Sequence, residues 1–343
     1  MKAVIMAGGE GTRLRPALPG IAKPMALLGG RPVLERIIYL LKHSGITDLH
    51  ITLRYKPESI IDYFGDGKGF GVDIKYHIEN EPLGTAGGVR ACFGEGFSRD
   101  ILVISGDAAC DFDLKELIEC HHRHKAPVTM ALYSSSDPLA YGLVLTDPRG
   151  KVRSFIEKPP WEKVVTNYVN TGIYILSPEA LNMIPKDKAY DFAKDLFPKI
   201  MEEGLEIRGL ALEGYWCDIG NPKAYYQCNL DALEGRLTLY NEYGNADLDF
   251  NPKPSLQTIP ARTIVYKESQ SFPCTDRARL MRALSESLME AGADFTDGLS
   301  LKSEKGEVRI SPHPEKSALI IEADKKELCS EFQKLASSFA DFV

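Results

Sequence analysis

A glycine-rich loop near the N-terminus carries the residue types that phosphate binding requires. Residues Ala7–Pro16 read AGGEGTRLRP directly after a short apolar segment, and Lys23 follows ten residues after Arg13. Glycines allow backbone N–H groups to approach phosphate oxygens closely, and the two cations would neutralise phosphate charge. The loop lacks the Lys-Ser/Thr pair of GxxxxGK[ST], and Leu14 occupies the third glycine position of GxGxxG. We predict a third type of phosphate-binding loop; the alternative is a tight turn with a solvated arginine.

Two aspartates lie in surroundings that suit a divalent cation. Asp107 follows the apolar segment Ile101–Ile104, and Asp218 lies in the segment Trp216–Gly220, WCDIG. Carboxylates are hard oxygen ligands, and proteins commonly hold Mg²⁺ with one or two of them together with phosphate oxygens. Each position also has an ordinary structural explanation, because Asp107 could cap a helix and Asp218 could belong to a turn. Taken singly, neither aspartate decides between the two interpretations.

These groups need a scaffold, and residues 1–238 supply an alternation of strand-like and helix-like segments. The predicted strands are short and mostly apolar, namely Lys2–Met6, His50–Tyr55, Asp73–Ile78, Ile101–Ile104 and Val128–Tyr133. The predicted helices show helical periodicity or a helix-start signal, namely Pro32–His43, Glu58–Phe64, Gly87–Phe93 and Leu114–His124. This alternation predicts an α/β fold with a mostly parallel sheet and helices on both faces. Ligands then bind beyond the carboxyl ends of the strands, where the glycine-rich loop and Asp107 lie.

The composition changes after Tyr240, which divides the chain. Segment 239–260 is rich in Asn, Pro and Gly and has little periodicity, so we predict a linker there and a first domain at 1–238. Residues 261–343 predict a small α+β domain, near the lower size limit for independent folding. Its predicted strands and helices are Ala261–Glu268, Asp276–Glu290, Gly298–Lys302, Glu307–Ser311, Ala318–Glu322 and Glu327–Phe339.

The overall composition excludes several classes of protein. The 343 residues are 44% hydrophobic and 26% charged, so a sizeable core can form and wholesale disorder is excluded. The net charge of -7 disfavours binding to nucleic acid or an anionic membrane, because phosphate affinity comes mostly from clustered Lys and Arg. No apolar run approaches the roughly 20 residues that cross a bilayer, and the 7 cysteines lack CxxC spacing. We predict a cytoplasmic protein with reduced thiols that binds neither nucleic acid nor membrane.

Six ordered motifs resemble the signature of the sugar-1-phosphate nucleotidyltransferase family and span residues 1 to about 235. They are the glycine-rich loop with Lys23–Met25, Glu81–Gly88 (EPLGTAGG), Ser105–Asp107 (SGD), Glu157–Pro159 (EKP), Asn170–Gly172 (NTG) and Trp216–Gly220 (WCDIG). Within the family, EPLGTAGG, Asp191–Pro198 (DFAKDLFP) and Gly214–Pro222 (GYWCDIGNP) look most like the mannose-1-phosphate guanylyltransferases. The resemblance implies a Rossmann-like nucleotidyltransferase domain of the GT-A type.

The resemblance also implies roles for individual residues. Arg13 would hold the β- and γ-phosphates of a nucleoside triphosphate, Lys23 the phosphates near the reacting centre, and Lys158 the phosphate of the sugar. The residues that would bind the nucleotide are Gly8, Gly9, Gly11, Thr12, Glu81, Gly84 and Thr85. The residues that would bind the sugar phosphate are Gly142, Glu157 and Asn170, and those that would hold Mg²⁺ are Asp107 and Asp218. The three sugar-phosphate residues also suit ordinary turns or a solvated loop.

The reaction that the family implies is attack of a sugar-1-phosphate oxygen on the α-phosphorus of a nucleoside triphosphate, which releases pyrophosphate. Both reactants are anionic, so the protein must neutralise charge and align them, and no nucleophilic side chain is required. The favoured reaction makes GDP-mannose from GTP and mannose-1-phosphate. Two alternatives stay open: glucose- or heptose-1-phosphate with UTP, dTTP or CTP, and a non-catalytic regulatory subunit that binds nucleotide-sugar. A carboxylate of Glu79 or Glu81 would suit guanine, and the backbone of Gly8 and Gly84 is the alternative.

Residues 261–343 resemble the last domain of the phosphohexomutases in four segments, Phe272–Cys274, Arg279–Leu284, Asp297–Ser300 and Arg309–Glu315. A mutase also needs a loop with a phosphorylated serine and a DGD-type metal loop, and the sequence has neither. We therefore expect no mutase activity. A structural or oligomerising role is favoured over a sensor of sugar phosphates or an inert remnant, so a homo-oligomer stays open as the assembly.

Overall fold

The chain forms two compact units in a computed structural model, Met1–Pro260 and Ala261–Val343. The structure describes residues 1–94, 97–135, 138–158, 166–238, 240, 268–273, 284, 299–303, 306–312, 318–323 and 325–340. Several predicted features therefore lie outside the described residues: the linker 239–260 apart from Tyr240, Pro159, and most of the segments Ala261–Glu268 and Asp276–Glu290.

A nine-stranded sheet lies at the centre of the first unit and is accompanied by two short ribbons. The strands along the chain are β1 (Lys2–Ala7), β2 (Leu27–Leu28), β3 (Arg31–Pro32), β4 (Asp48–Leu53), β5 (Asp73–Ile78), β6 (Ile101–Ser105), β7 (Ala108–Cys110), β8 (Val128–Ser134), β9 (Gly142–Thr146), β10 (Val152–Glu157), β11 (Tyr168–Leu176), β12 (Ile207–Ala211) and β13 (Trp216–Asp218). The main path of the sheet runs β10-β9-β11-β6-β1-β4-β5, while β8 pairs with β11 and β12 pairs with β8. The ribbons pair β2 with β3 and β7 with β13.

One half of this sheet is parallel and the other half is largely antiparallel. Strands β5, β4, β1 and β6 pair in parallel, which confirms the predicted parallel core. Strand β11 pairs antiparallel with β6, β8 and β9, and β9 pairs antiparallel with β10, so the sheet as a whole is mixed. Met6 of β1 lies beside Ser105 of β6, so the loops that follow these two strands open at the same edge.

Helices pack against both faces of the sheet, as predicted. They are α1 (Val33–His43), α2 (Pro57–Phe64), α3 (Gly84–Ala91), α4 (Leu114–His124), α5 (Pro178–Asn182), α6 (Phe197–Glu202) and α7 (Pro222–Leu233). Alternate residues of β1 point to opposite faces, so Ile5 joins a buried cluster with Leu34 of α1, whereas Val4 joins one with Ala86 of α3. In the part of the chain that the structure describes, no helix combines the length and the apolar character needed to cross a bilayer.

Most predicted elements of the first unit lie within a few residues of their predicted ends, and two differ in an informative way. The strand predicted to reach Tyr55 stops at Leu53, where the parallel ladder with β1 ends. The helix predicted to begin at Gly87 begins at Gly84. Its first turn is stabilised from outside the helix, because the N–H of Gly87 donates to the carbonyl of Tyr190.

The second unit contains a four-stranded antiparallel sheet and a C-terminal helix. Its elements are β14 (Glu268–Pro273), β15 (Leu299–Ser303), β16 (Gly306–Pro312), β17 (Ala318–Ala323) and α8 (Lys326–Ala340). The strand order is β14-β17-β16-β15, and β15, β16, β17 and α8 lie where the sequence predicted three strands and a helix. Leu319 and Ile321 of β17 form a buried cluster with Cys329 and Phe332 of α8. The unit is therefore a small sheet that packs against a helix.

A pair of histidines lies on one face of the parallel half of the large sheet. His50 of β4 is buried, its Nδ1 lies 2.8 Å from Nε2 of His77 on β5, and its ring centroid lies 4.5 Å from that of Phe93. Burial, followed by the effects of His77 and Lys2, lowers the pKa of His50 to about 4, against the opposing effect of Asp48. His50 is therefore neutral at pH 7.

We predict that the first unit loses stability as the pH falls below about 6.5, because the unfolded chain then binds a proton that folded His50 does not take up. The loss from this one group should be on the order of 2 kcal/mol at pH 5. The measurement is the free energy of unfolding in urea between pH 7.5 and 5. His50→Gln should show a shallower fall than the wild type, and the exposed control His124→Gln should match the wild type. An equal fall in all three proteins would contradict the prediction.

Candidate active site

Three charged side chains that lie far apart in the sequence meet beside the carboxyl end of β1. The Nζ atom of Lys23 lies 2.6 Å from Oδ2 of Asp107 and 2.9 Å from Oδ1 of Asp218. The Lys23 side chain is 10% exposed, whereas the two carboxylate side chains are 35% and 29% exposed. The two predicted metal ligands and one predicted phosphate-binding cation therefore share a single, partly open site.

Backbone pairing accounts for the proximity of the two aspartates. The N–H of Gly106 donates to the carbonyl of Met6 at 2.9 Å, which holds the next residue, Asp107, close to the end of β1. Strand β7 then pairs antiparallel with β13, so that Asp218 lies opposite Ala108. The ribbon of β7 and β13 thus brings together two carboxylates that are separated by more than 100 residues of sequence.

The glycine-rich loop lines a cavity of about 240 Å³ next to this cluster. The lining residues are Met6, Ala7, Gly9, Gly11, Thr12, Arg13, Lys23, Pro24, Asp107 and Gly220. Gly11 has a φ of +60°, and a Cβ atom there would lie 3.0 Å from Cβ of Lys23, so a larger residue would strain the loop and crowd the lysine. The cavity is smaller than the roughly 300–1,000 Å³ of drug-sized ligand sites. Its size and its two cations suit a phosphate chain better than an entire nucleotide-sugar.

Electrostatic effects link the members of the cluster. Burial alone would lower the pKa of Lys23, but the carboxylates of Asp107 and Asp218 outweigh it and raise that pKa above its ordinary value. Burial and the charge of Asp107 raise the pKa of Asp218, against the opposing effects of Lys23 and Arg13. A Cβ atom on Gly220 would lie 3.0 Å from both Nη2 of Arg13 and Oδ2 of Asp218. Lys23 therefore stays protonated at neutral pH, and Arg13 is the second cation beside the carboxylates.

The two carboxylates fit the coordination that Mg²⁺ prefers. Mg²⁺ is commonly held by one or two carboxylates and completes an octahedral shell with water and substrate phosphate oxygens. Across the described segments, no group of three or more His, Cys, Asp or Glu residues is arranged to hold a metal. The remaining ligands would therefore come from water and from a phosphate chain in the adjacent cavity. The Lys23 ammonium bonds both carboxylates in the structure, so it and a metal ion would compete for the same oxygens.

The three predicted sugar-phosphate residues lie on three adjacent strands. Gly142 of β9 pairs with Glu157 of β10, and a Cβ atom on Gly142 would lie 2.8 Å from Oε2 of Glu157. Asn170 lies on β11, which also pairs with β9. Lys158 follows β10 directly; its side chain is 58% exposed, and its Nζ lies 3.8 Å from Oε1 of Glu157. Lys158 therefore does not line the cavity of the glycine-rich loop.

The predicted nucleotide-contacting loop packs on the segment that precedes α6. Gly84 has a φ of +72°, and a Cβ atom there would lie 2.6 Å from the carbonyl oxygen of Tyr190. The Thr85 hydroxyl donates to Oδ2 of Asp191 at 2.8 Å and accepts from the N–H of Phe192 at 3.0 Å. These contacts join two segments that the family resemblance singled out separately, EPLGTAGG and DFAKDLFP. Because they engage the Thr85 hydroxyl, a nucleotide contact of this side chain stays a prediction.

Of the two glutamates considered for base recognition, Glu79 lies beside the glycine-rich loop. A Cβ atom on Gly8 would lie 3.3 Å from Oε1 of Glu79, and a Cβ atom on Gly88 would lie 2.5 Å from it. Burial raises the pKa of the Glu79 carboxyl. Glu81, by contrast, is exposed. The position of Glu79 therefore suits a base-contacting carboxylate better than that of Glu81.

Arg54 is a further candidate for ligand binding beside the glycine-rich loop, and the sequence analysis did not single it out. Arg54 follows β4 directly, and its Cβ lies 3.8 Å from the position that a Cβ on Gly8 would take. Its Nη2 lies 3.3 Å from Oε1 of Glu10 in the glycine-rich loop. The signal that could have found it is its place just after a parallel strand, where ligands bind in such sheets. The sequence analysis did not use this signal, because it predicted the strand to end at Tyr55 and therefore placed Arg54 within the strand and not after it.

Comparisons with known proteins match the part of the chain that contains these residues. A family model described as nucleotidyl transferase matches residues 2–235. A UTP–glucose-1-phosphate uridylyltransferase of Synechocystis sp. is 37% identical over 240 residues, which cover 66% of this chain and 62% of that protein. A mannose-1-phosphate guanylyltransferase of Mycobacterium tuberculosis is 33% identical over 234 residues, which cover 68% of this chain and 65% of that protein. The chain thus spans less than two thirds of the length of these curated relatives.

A solved structure agrees with the sequence comparisons. The crystal structure of HddC from Yersinia pseudotuberculosis complexed with GMP-PN is 32% identical to this chain and superposes with a TM-score of 0.57. The match covers 67% of this chain and 99% of that structure. Lys23, Asp107 and Asp218 all lie within the residues that the family model matches.

We predict that Lys23→Met lowers the stability of the metal-free protein, because Asp107 and Asp218 would then lose the one cation that bonds both of them. The loss should be on the order of 2 kcal/mol, since the carboxylates are partly solvated. Mg²⁺ should stabilise the variant more than the wild type, because no ammonium competes with it. The measurement is the thermal midpoint with EDTA and with Mg²⁺, and Lys115→Met on the exposed side of α4 is the control. Equal midpoints of Lys23→Met and the wild type in EDTA would show that the lysine does not hold the carboxylates together.

We predict that Gly84→Ala destabilises the first unit by about 2–3 kcal/mol, because alanine disfavours the positive φ and its Cβ would overlap the Tyr190 carbonyl. The measurement is the midpoint of unfolding in urea. Gly94→Ala is the matched control, because a Cβ atom at Gly94 would have no neighbour within 4 Å. If the two alanine variants unfold at the same urea concentration, the contact between the loop and Tyr190 is not a stabilising one.

Proposed function

The chain belongs to the nucleotidyl transferase family, and from this membership we propose that it joins a nucleoside triphosphate to a sugar-1-phosphate and releases pyrophosphate. The favoured substrates are GTP and mannose-1-phosphate, which give GDP-mannose. The observation that carries the proposal is the convergence of Asp107, Asp218 and Lys23 beside the glycine-rich loop. Transfer between two anionic phosphates needs charge neutralisation and alignment. The lysine is a cation that can neutralise phosphate charge, and the two carboxylates could hold a metal ion that aligns the phosphates.

The reaction exchanges one phosphoanhydride bond at the α-phosphorus for another. A phosphate oxygen of the sugar-1-phosphate attacks the α-phosphorus, the bond from the α-phosphorus to the bridging oxygen breaks, and pyrophosphate leaves with that oxygen. Arg13 and Lys23 lie on the cavity wall, where their charges would balance the charge on the triphosphate. Gly9 and Gly11 leave room for phosphate oxygens close to the backbone. The transfer needs no covalent enzyme intermediate.

Asp107 and Asp218 are the residues that would hold Mg²⁺. The bound ion would neutralise and polarise the phosphate oxygens. Lys23, no longer bonded to both carboxylates, would then be available to a phosphate oxygen. Lys158 would grip the phosphate of the sugar only after its exposed side chain turns away from Glu157, beside which it lies in the structure.

The position of Glu79 supports guanine as the base. Guanine presents two adjacent donors, N1–H and N2–H₂, which one carboxylate can accept, whereas uracil and thymine present a single N–H between two carbonyls. Glu79 lies against Gly8 of the glycine-rich loop, next to the cavity that would take the phosphates. A specific observation also favours a second candidate, UTP with glucose-1-phosphate: the relative named for that reaction is 37% identical to this chain.

All groups of this proposal lie before residue 235, so we also propose residues 1–238 as the catalytic domain. The described residues of the second unit add no group to the mechanism. A structural or oligomerising role is our proposal for residues 261–343, where a four-stranded sheet packs against α8.

A substrate panel tests the proposed function. Purified protein with Mg²⁺ would receive GTP, UTP, dTTP or CTP together with mannose-, glucose- or heptose-1-phosphate, and the release of pyrophosphate would be measured. We expect the highest kcat/KM with GTP and mannose-1-phosphate. The highest value with UTP and glucose-1-phosphate would establish the second candidate instead. No release with any pair would overturn the proposal and support the regulatory subunit.

We predict that Asp107→Asn reduces kcat by at least a hundredfold, or about 3 kcal/mol, because it removes a charge that would hold the cation at the reacting phosphates. The fold should survive, since the variant keeps the shape of the side chain. The measurements are kcat with the best substrate pair and the thermal midpoint. Asp62→Asn on the exposed side of α2 is the control and should retain the wild-type kcat. Near-normal turnover of Asp107→Asn would remove Asp107 from the metal site.

A further inference from the structure

A bulge in β11 contacts the two segments that carry the aspartates, one at the end of β6 and the other in β13. The register of β11 against β8 shifts within residues 170–174. In this bulge the carbonyl of Thr171 accepts from the indole N–H of Trp216 at 3.2 Å, and a Cβ atom on Gly172 would lie 2.5 Å from Oγ of Ser105. Ser105 and Trp216 each precede one of the two aspartates by two residues. The bulge is thus in direct contact with both segments that form the candidate active site.

The Asn170 side chain closes this bulge, and its amide has one fixed orientation. Its Oδ1 accepts from the N–H of Gly172 at 3.1 Å and from the hydroxyl of Tyr174 at 2.9 Å. A backbone N–H can only donate, so the amide atom that faces Gly172 must be the oxygen and not the nitrogen. Both lone pairs of the oxygen are then used. Asn170 can therefore offer a ligand only the two N–H bonds of Nδ2.

Tyr174 is held firmly in the position from which it donates to Asn170. Tyr174 is 3% exposed, and its ring centroid lies 5.2 Å from that of Phe192 and 5.1 Å from that of Phe197. Burial raises the pKa of Tyr174 well above its ordinary value, against the opposing effect of its hydrogen bond with Asn170, and the carboxylates of Asp191 and Glu157 add to the rise. The hydroxyl therefore stays protonated and keeps donating to Asn170 across the pH range of a folded protein.

We propose that Tyr174 is a positioning residue that keeps the Asn170 amide turned so that Nδ2 donates to an oxygen atom of the bound sugar-1-phosphate. The inference rests on the proposed function. It adds the direction of one hydrogen bond: the Asn170 amide donates, and the ligand oxygen accepts. Glu157, on the strand pair next to β11, can only accept. The two side chains together suit a ligand group that both donates and accepts, as a sugar hydroxyl does.

Asn170→Asp is the sharpest test of this direction. Aspartate can accept from Gly172 and Tyr174 as asparagine does, but it replaces the two N–H donors by a charged oxygen. We expect mannose-1-phosphate, measured by calorimetry and by its KM, to bind about 100-fold more weakly, because a donor is lost and an acceptor faces an acceptor. Tyr174→Phe should weaken the same binding about fivefold, as expected for one hydrogen bond. Both variants should leave the KM for GTP within about twofold of the wild type. A change of that size is smaller than the loss of one hydrogen bond produces.

A positioning role also predicts coupling between the two residues. In a double-mutant cycle, Asn170→Asp should cost less in the Tyr174→Phe background than in the wild type. Tyr76→Phe is the matched control. Tyr76 lies on the edge strand β5, and its hydroxyl donates to the carbonyl of Gly65. The variant should leave both KM values unchanged. Thermal midpoints of all variants would be measured alongside.

The outcomes separate this inference from the proposed function. Unchanged mannose-1-phosphate binding in Tyr174→Phe would overturn the inference, and so would equal losses for both substrates, which a purely structural role produces. If the wild type releases no pyrophosphate with any pair, the proposed function fails while calorimetry still decides on Tyr174. Binding that Tyr174→Phe weakens supports the inference in that case, and absence of binding to the wild type overturns it.

Discussion

The Lys23 ammonium between Asp107 and Asp218 is the contact on which the rest of the site depends. Two carboxylates that both approach one point within 2.9 Å repel each other unless a cation lies between them. Lys23 comes from the segment after β1, Asp107 from the turn between β6 and β7, and Asp218 from β13. Two ion pairs of one lysine therefore connect three separate parts of the chain and place opposite charges where a metal ion and a triphosphate would need them.

The two halves of the sheet contribute different groups to this site. The parallel half opens its loops at one edge, and these loops supply the glycine-rich cavity, Lys23 and Asp107. The largely antiparallel half supplies the predicted sugar-phosphate residues on β9, β10 and β11. The bulge of β11 connects the halves, because it contacts both the segment before Asp107 and the segment before Asp218. In the proposed function, the parallel half therefore binds the triphosphate and the largely antiparallel half binds the sugar phosphate.

Local sequence patterns predicted the strands of the parallel half, whereas in the other half they predicted only β8 and left β9 to β12 without a prediction. Apolar strands that alternate with amphipathic helices indicate parallel pairing, so the place of Asp107 after a buried strand followed from pattern alone. No local pattern states which strand pairs with β7, so the contact between Asp107 and Asp218 depended on family resemblance. Glu79 and Glu81 are two residues apart in the sequence, and the structure distinguishes them by the approach of Glu79 to Gly8 and Gly88 and by the exposure of Glu81. The sequence did not predict the exposed position of Lys158 either. Its EKP motif implies a contact with a bound ligand and does not say where the side chain lies when no ligand is bound.

Anomalous scattering from Mn²⁺, a substitute for Mg²⁺ at carboxylate sites, tests the central claim most directly. Crystals of the full chain grown with Mn²⁺ and GTP would be measured at the manganese absorption edge. The account predicts a peak at about 2 Å from one oxygen of Asp107 and one oxygen of Asp218, with the Lys23 ammonium moved to a phosphate oxygen. Nucleotide bound with its manganese ion away from either aspartate, or with Lys23 still bonded to both, would contradict it.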